Sequence, residues 1–139
     1  MVKQCETFDH TADVGLSASA DSQAELFEAL AEGLVDLICP RQQVAPVKQF
    51  DVQVQAEDIE SLVVDFLCRI MVIVQTDLFA VASVTVSQAS QGAVRAQLMG
   101  EPVDPLRHAF NTEVKAVTYH QLRIAEKGDQ WTGRVILDI

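Results

Sequence analysis

A histidine and an aspartate stand three residues apart near the start of the chain, in the segment His10-Thr11-Ala12-Asp13. A turn here, followed by a strand from Val14, would let both side chains point into one site. Aspartate is a hard oxygen ligand for divalent cations, and histidine can serve as a second ligand or as a hydrogen-bond partner. On spacing alone, the commoner role of such an aspartate is to stabilise the turn itself.

The end of the sequence is a second candidate. The residues Arg134-Val135-Ile136-Leu137-Asp138-Ile139 keep a strand pattern up to an apolar last residue, which predicts an end that is held in place. Asp138 would then lie beside the α-carboxylate of Ile139, and adjacent carboxylates repel unless a cation joins them. If Asp13 approaches, three carboxylates would form a site suited to Ca²⁺ or Mg²⁺. The alternative is that Asp138 faces solvent on an edge strand.

The third candidate is Glu113-Val114-Lys115-Ala116-Val117-Thr118-Tyr119-His120, which we expect within a strand over residues 113–124. Strand alternation would put Lys115, Val117 and Tyr119 on one face and the residues between them on the other. Lys115 on the more apolar face could pair with one of the carboxylates or reach out at the sheet edge. A solvated lysine on an edge strand is the alternative explanation.

The charge balance argues against a nucleic-acid-binding domain. The 139 residues contain 20 acidic and 10 basic side chains, for a net charge of −10, whereas affinity for phosphate backbones needs basic residues. Residues 1–70 hold 13 of the acidic and 4 of the basic residues, and most of this acidity falls on two predicted helices. We therefore interpret it as solvated helix surface. The 49% hydrophobic content excludes a disordered chain.

Several common functional signals are missing. The sequence has no glycine-rich phosphate loop, no G-x-S-x-G element and no H-E-x-x-H motif. It also has no apolar run long enough to span a membrane and no secretory signal. The three cysteines, Cys5, Cys39 and Cys68, lack the spacing of a zinc or redox site, and we expect Cys39 and Cys68 to be buried. A cytoplasmic protein with reduced thiols is expected.

Two amphipathic helices can be predicted from apolar spacing. The first begins after Ser22, in a capping box with Glu25, and ends before Pro40. The second has Asp58 as a plausible N-cap and a wide apolar stripe that extends to Val74. A stripe of that width is expected for a helix that lies on a sheet.

The rest of the chain favours strands. Period-two patterns occur over residues 14–20, 50–54, 81–87, 93–99, 113–124 and 130–138. Gln91-Gly92 and Lys127-Gly128-Asp129 are typical of hairpin turns, and residues 100–112 are expected to form one long irregular loop. The predicted fold is a single α+β domain over residues 1–139. It has two layers, with two amphipathic helices packed on a mostly antiparallel sheet.

Four segments together resemble the archease family. They are His10-Thr11-Ala12-Asp13-Val14-Gly15, Gly100-Glu101-Pro102-Val103-Asp104, the segment from Glu113 to His120, and Val135-Ile136-Leu137-Asp138-Ile139 at the end of the sequence. The resemblance extends over essentially the whole chain, in matching order and spacing. One departure is Arg69, which stands in the second helix where many relatives have an acidic residue.

This resemblance implies a protein cofactor that is not itself an enzyme. It implies activation of an RtcB-type RNA ligase, the enzyme of tRNA splicing and RNA repair, by promoting guanylylation of the ligase's active-site histidine and multiple turnover. It also implies a divalent metal site, with Ca²⁺, Mg²⁺ and Mn²⁺ all possible, formed by Asp13, Asp138 and the terminal carboxylate of Ile139. His10 and Lys115 lie in matching motifs, as residues that support the ligands or contact the partner.

Two other functions are compatible with the same residues. A metal-dependent phosphoester hydrolase would use the carboxylates to hold Mg²⁺ and a water, with His10 as the general base. An acidic chaperone or adaptor would bind partners through its helices, and that interaction would weaken steeply with salt.

Overall fold

The computed structural model describes residues 3–10, 13–90 and 92–139, except for the side chains of residues 9 and 10. The helices are α1 (Gln23–Ile38) and α2 (Ile59–Gln75), and a short 3-10 helix (Arg41–Gln43) follows α1. The strands are β1 (Gln4–His10), β2 (Asp13–Ala20), β3 (Lys48–Gln55), β4 (Phe79–Ser90), β5 (Ala93–Pro102), β6 (Ala116–Val117), β7 (Arg123–Lys127) and β8 (Gln130–Asp138).

The strands form two antiparallel sheets. The first has the order β1-β2-β8-β6, with β7 also paired to β8, and the second has the order β3-β5-β4. Both helices contact strands of both sheets. The predicted α+β fold with two helices and mostly antiparallel strands is confirmed, although the strands are divided between two sheets instead of one.

Both helices begin at the predicted caps. The Ser22 hydroxyl accepts a hydrogen bond from the Glu25 backbone N–H at 3.1 Å, and the Asp58 carboxylate accepts one from the Ser61 N–H at 2.7 Å. Such caps satisfy N–H groups that have no partner within the helix. Helix α1 ends at Ile38, two residues before Pro40, as predicted.

The buried face of each helix is wide because each packs against two sheets and against the other helix. Eight residues of α2 are buried, namely Leu62, Val63, Val64, Phe66, Leu67, Ile70, Ile73 and Val74. Within residues 3–10, 13–90 and 92–139, no helix has the length and apolar character that crossing a membrane requires.

The acidic residues of α1 are not simply solvated, which corrects the sequence-based interpretation. The Lys3 Nζ atom lies 2.9 Å from Glu28 and 3.1 Å from Glu32, and a guanidinium nitrogen of Arg41 lies 2.8 Å from Glu32. The Glu28 carboxylate also accepts a hydrogen bond from the Val86 N–H of β4 at 2.7 Å. Part of the N-terminal acidity therefore joins α1 to neighbouring elements.

The predicted strand over residues 113–124 is wrong. Ala116–Val117 pair with β8 as β6, the chain then leaves the ladder through a turn in which Gln121 has a φ of 53°, and pairing with β8 resumes as β7 at Arg123. The prediction that Lys115, Val117 and Tyr119 share one face of a strand is also wrong, because Val117 is buried whereas Lys115 and Tyr119 are exposed. A chain that leaves the ladder after two residues cannot maintain a strand's alternation.

Two predicted hairpins are confirmed, and one predicted loop begins later than expected. Gly92, with φ of 74°, and Gly128, with φ of 64°, lie in the β4–β5 and β7–β8 connections, and both adopt the left-handed backbone that glycine favours. Gln91 lies outside the described residues. The irregular segment predicted from residue 100 starts after Pro102, because β5 continues to that residue.

One end of the molecule brings together the ends of many elements, and we name it the Asp138 end. Strand β2 begins there and β8 finishes there. The α1 terminus is tied to this end by a hydrogen bond of 2.8 Å from the Asn111 N–H to the Ile38 carbonyl. The α2 terminus is tied there by Gln75, which bonds to Val114. The candidate site residues lie at this end.

Candidate functional site

Asp13 and Asp138 are direct neighbours across the β2–β8 ladder. Leu16 and Leu137, at alternate positions of the same strands, are fully buried in the core, so both aspartates lie on the opposite, outer face of the sheet. The β-carbons of such cross-strand pairs are roughly 4.5–5.5 Å apart. The structure therefore brings together the two side-chain carboxylates that the sequence places 125 positions apart.

His10 and Ala116 extend the same row of the sheet. His10 is paired with Asp13 in the β1–β2 register, and Ala116 is paired with Asp138 in the β6–β8 register. The side chain of His10 lies outside the described part of the structure. For His10 the structure gives the backbone register, and its role as a ligand or supporting residue stays a prediction.

Lys115 contacts this row of paired residues through its backbone. Its N–H donates a hydrogen bond of 2.7 Å to the Asp138 carbonyl, and its side chain is exposed. Ile139, the last residue, is partly buried and packs against the core. The residue after Asp138 is thus anchored by apolar contact, as the sequence pattern indicates.

Few described side chains beside Asp13 and Asp138 could serve as metal ligands. Among the side chains that the structure describes, no three His, Cys, Asp or Glu residues lie close enough together to hold a metal ion. A cation bound by Asp13 and Asp138 therefore needs further oxygen or nitrogen donors. The Ile139 carboxylate, the His10 imidazole, water molecules and groups of a partner protein are chemically suitable donors.

A buried polar cluster beside this end was missed by the sequence analysis. Glu101 and His108 are 8% and 3% exposed, and they are the buried polar or charged residues among those described. One oxygen of Glu101 lies 3.0 Å from His108 Nε2, and the other accepts a hydrogen bond of 2.7 Å from Arg107. The Ala45 N–H also donates to this carboxylate, at 2.9 Å.

The hydrogen bonds assign the protonation of this cluster. His108 Nδ1 accepts a hydrogen bond of 2.8 Å from the Asp104 backbone N–H, so its proton lies on Nε2 and is donated to Glu101. The Arg107 guanidinium, followed by the Ala45 N–H, lowers the pKa of the Glu101 carboxyl to about 2. The cluster is a neutral histidine held by an ionised glutamate.

No local pattern could have indicated this cluster. Glu101 is the penultimate residue of β5 and His108 lies in the irregular segment that follows, so their contact depends on how the chain turns back. The only signal was the segment Gly100-Glu101-Pro102-Val103-Asp104, which supports the family resemblance without assigning a role to its glutamate.

Gln75, the last residue of α2, is a second missed residue. Its side-chain Nε2 donates to the Val114 carbonyl and its Oε1 accepts from the Val114 N–H, each at 2.8 Å. These two bonds imitate the pairing of a neighbouring strand. They fix Val114, which directly precedes Lys115, and the Lys115 N–H in turn donates to the Asp138 carbonyl.

Comparisons with known proteins agree with this architecture. The sequence profile of the archease protein family (MTH1598/TM1083) matches residues 5–139. The protein archease of Pyrococcus abyssi is 35% identical over 142 residues, with 99% of this chain and 100% of the relative covered. The protein archease of Methanopyrus kandleri is 34% identical over 137 residues, with 96% and 98% covered.

Two solved structures have the same fold. The solution structure of Methanobacterium thermoautotrophicum protein 1598 superposes with a TM-score of 0.80 at 28% identity, covering 97% of this chain and 98% of that one. The Thermotoga maritima structure, described as an archease and possible chaperone, gives a TM-score of 0.63 at 18% identity, with 96% of each chain covered. This chain belongs to the archease family.

Proposed function

We propose that this protein activates an RtcB-type RNA ligase through a divalent metal held by Asp13, Asp138 and the α-carboxylate of Ile139. The observation that carries the proposal is the direct pairing of Asp13 with Asp138 across β2 and β8, in a chain of the archease family. Two carboxylates on one face at this spacing repel each other, and a bound cation offsets that repulsion.

The donor chemistry suits a hard cation. Carboxylate oxygens bind Ca²⁺, Mg²⁺ and Mn²⁺. When bound, such a cation supplies positive charge that can stabilise phosphate groups in the ligase's guanylylation step. His10 completes the row beside Asp13, and the Lys115 N–H holds the backbone of Asp138 in place.

In this proposal the protein is a cofactor and the ligase is the catalyst. The net charge of −10 disfavours direct binding of RNA, so the RNA belongs to the ligase. The buried histidine of the described region, His108, is already engaged by Glu101 and by the Asp104 N–H, and it is therefore a poor candidate for a general base.

A reconstituted ligation assay tests the proposal. Catalytic amounts of ligase, GTP, Mn²⁺ and excess RNA ends are combined with and without this protein, and the number of turnovers per ligase is counted. The wild-type protein is expected to permit multiple turnover. Asp13→Asn, Asp138→Asn, and a variant with one glycine added after Ile139 are expected to lose that effect while they retain the wild-type melting temperature.

The matched control is Asp129→Asn, which changes an exposed aspartate in the β7–β8 turn and should leave stimulation unchanged. Unchanged turnover with the wild-type protein would contradict ligase activation. Hydrolysis of phosphoesters by the isolated protein would favour the hydrolase instead. Binding of the ligase by the wild-type protein without any stimulation of turnover, retained in both aspartate variants, would favour an adaptor or chaperone.

A further inference from the structure

Exposed large apolar side chains are concentrated at the Asp138 end of the molecule. Six such residues occur in the described part of the chain, namely Val47, Val72, Leu78, Leu106, Phe110 and Tyr119. Tyr119 lies toward the far end of α2, where its hydroxyl lies 3.3 Å from that of Ser61 in the first turn. The other five lie near the elements that finish or begin at the Asp138 end. Scattered apolar residues are ordinary on a protein surface, but a cluster marks a contact surface.

Leu106 is presented by a rigid turn. It is 95% exposed, yet its N–H donates to the Asp104 carboxylate at 3.0 Å, and the Arg107 and His108 N–H groups donate to the Asp104 carbonyl at 2.9 and 2.8 Å. The buried side chain of His108 anchors the same turn to Glu101. Because the backbone is already ordered, contact through Leu106 would cost little conformational entropy.

Leu78 is held in an unfavourable backbone conformation. Its φ is 57°, a region that glycine or asparagine adopts more easily, and its side chain is 52% exposed. Its carbonyl accepts a hydrogen bond of 2.8 Å from the Val103 N–H, which links it to the base of the Leu106 turn. Strain of this kind is often retained at functional positions.

Leu78 and Phe110 line one groove of about 370 Å³. Its other lining residues are Gln75, Asn111, Thr112 and Glu113. Val114, which Gln75 holds, follows directly after Glu113, and Lys115 then reaches Asp138. The groove is therefore continuous along the chain with the proposed metal ligands.

The charges around the groove indicate what kind of partner it fits. Glu113 is exposed and has no ion pair among the described residues. The Asp77 carboxylate has a distant partner, since its Oδ2 atom lies 3.9 Å from a guanidinium nitrogen of Arg69. The nearby guanidinium of Arg107 is already paired with Glu101 and Asp104. Among the described residues, the charged side chain that lines the groove is therefore acidic, while the exposed Lys115 lies two residues farther along the chain. A second copy with a net charge of −10 would be repelled.

We propose that Leu78, Leu106 and Phe110 form the surface by which this protein docks on the RNA ligase, at an apolar pocket framed by lysine and arginine side chains. This inference rests on the proposed function, because that function supplies the partner. The docking surface would supply affinity and orientation, while the carboxylates of Asp13 and Asp138 act at the ligase's reaction centre.

The test separates affinity from maximal effect. Leu106→Ser, Phe110→Ser and the double variant change exposed side chains, and their melting temperatures check that folding is intact. Their binding to the ligase is measured by calorimetry without RNA, and the concentration for half-maximal stimulation is measured in the turnover assay. The control is Tyr119→Ser, which removes an aromatic side chain of similar exposure outside the surface.

The double variant is expected to raise the half-maximal concentration by about tenfold or more while it reaches the wild-type maximal turnover. Tyr119→Ser should stay close to wild type. Asp13→Asn should show the reverse, with binding retained and the maximal effect lost.

An unchanged half-maximal concentration for the double variant, beside normal stimulation by the wild type, would overturn the docking surface and leave the proposed function standing. Wild-type protein that neither binds nor stimulates the ligase would overturn the function and the chosen partner together. A dimer in sedimentation that Leu106→Ser dissociates would show that a second copy covers the surface, and would also overturn the proposal.

Discussion

The aromatic ring of Phe8 lies against the backbone of Gly15, in the space that a β-carbon at residue 15 would occupy. The two residues are cross-strand neighbours in β1 and β2, and the guanidinium carbon of Arg134 lies 4.4 Å from the centre of the same ring. Gly15 is two residues from Asp13 on the same face of the strand. The glycine of the His10-to-Gly15 motif is therefore required by packing next to the candidate site.

Gly15→Ala is expected to destabilise the protein, because the added methyl group must displace the Phe8 ring. Forcing extra volume into such a contact costs roughly 1–3 kcal/mol. Urea unfolding measures the loss. In a double-mutant cycle, combining Gly15→Ala with Phe8→Ala should recover most of it, since the space is then free. Additive effects of the two substitutions would contradict the contact.

Gln75→Ala is expected to loosen the segment that positions Lys115, because both hydrogen bonds to Val114 are lost. Native-state hydrogen exchange should show faster exchange of the Val114 and Lys115 amides, by about tenfold or more, with little change in the β4–β5 hairpin. Gln97→Ala is a matched control, since the side chain of Gln97 donates a long hydrogen bond of 3.4 Å to the Ser87 hydroxyl within β4 and β5. Exchange rates that respond equally to the two substitutions would count against a specific role for Gln75.

Glu101 should make stability depend on acid pH. Its pKa is lowered to about 2 from an ordinary 4.5, so the native state favours the ionised carboxylate. The resulting stability is fully present above pH 4.5 and is lost as the pH falls toward 2. Glu101→Gln should therefore lower the urea midpoint at pH 7, and its difference from wild type should shrink as the pH falls below 4.5. A difference that stays constant between pH 7 and pH 2.5 would refute this origin.

Cys5 should be almost unreactive in the native protein. Burial, with a smaller effect of the Asp36 carboxylate, raises the pKa of its thiol to about 12, so little thiolate exists near pH 7. Burial also raises the pKa of Cys39 and of Cys68. Labelling with a chromogenic disulfide at pH 7.5 should be slow in buffer and should reach three thiols in urea. Rapid labelling of Cys5 in buffer would show that its environment is more open.

Features that depend on local patterns could be predicted from the sequence. Ser22 and Asp58 cap the helices because a side-chain oxygen three residues before a free N–H is a local arrangement. Gly92 and Gly128 mark the hairpins because their backbone conformation is also local. The predicted approach of Asp13 to Asp138 depended on the carboxylate chemistry and on the family resemblance, since strand register cannot be deduced from either strand alone.

The features that could not be predicted depend on contacts through space. Glu101 and His108 form no periodic pattern in the sequence. The hydrogen bonds that hold Glu101 come from separate segments, namely from His108 and from the Ala45 N–H. Strand β1 has polar residues on both faces at the sheet edge, so no alternation indicates it. The segment after Val117 has apolar residues at strand spacing, but the left-handed backbone at Gln121 breaks the ladder.

The hydrogen bonds from Gln75 to Val114 and from Lys115 to Asp138 have a mechanical consequence. They join the end of α2 to the backbone of a proposed metal ligand through two consecutive residues, without a flexible linker between them. Leu78 follows the same helix end by three residues. A displacement of Leu78 by a bound partner would therefore be passed on to the backbone of Asp138, so contact at Leu78 and the position of that carboxylate are mechanically coupled.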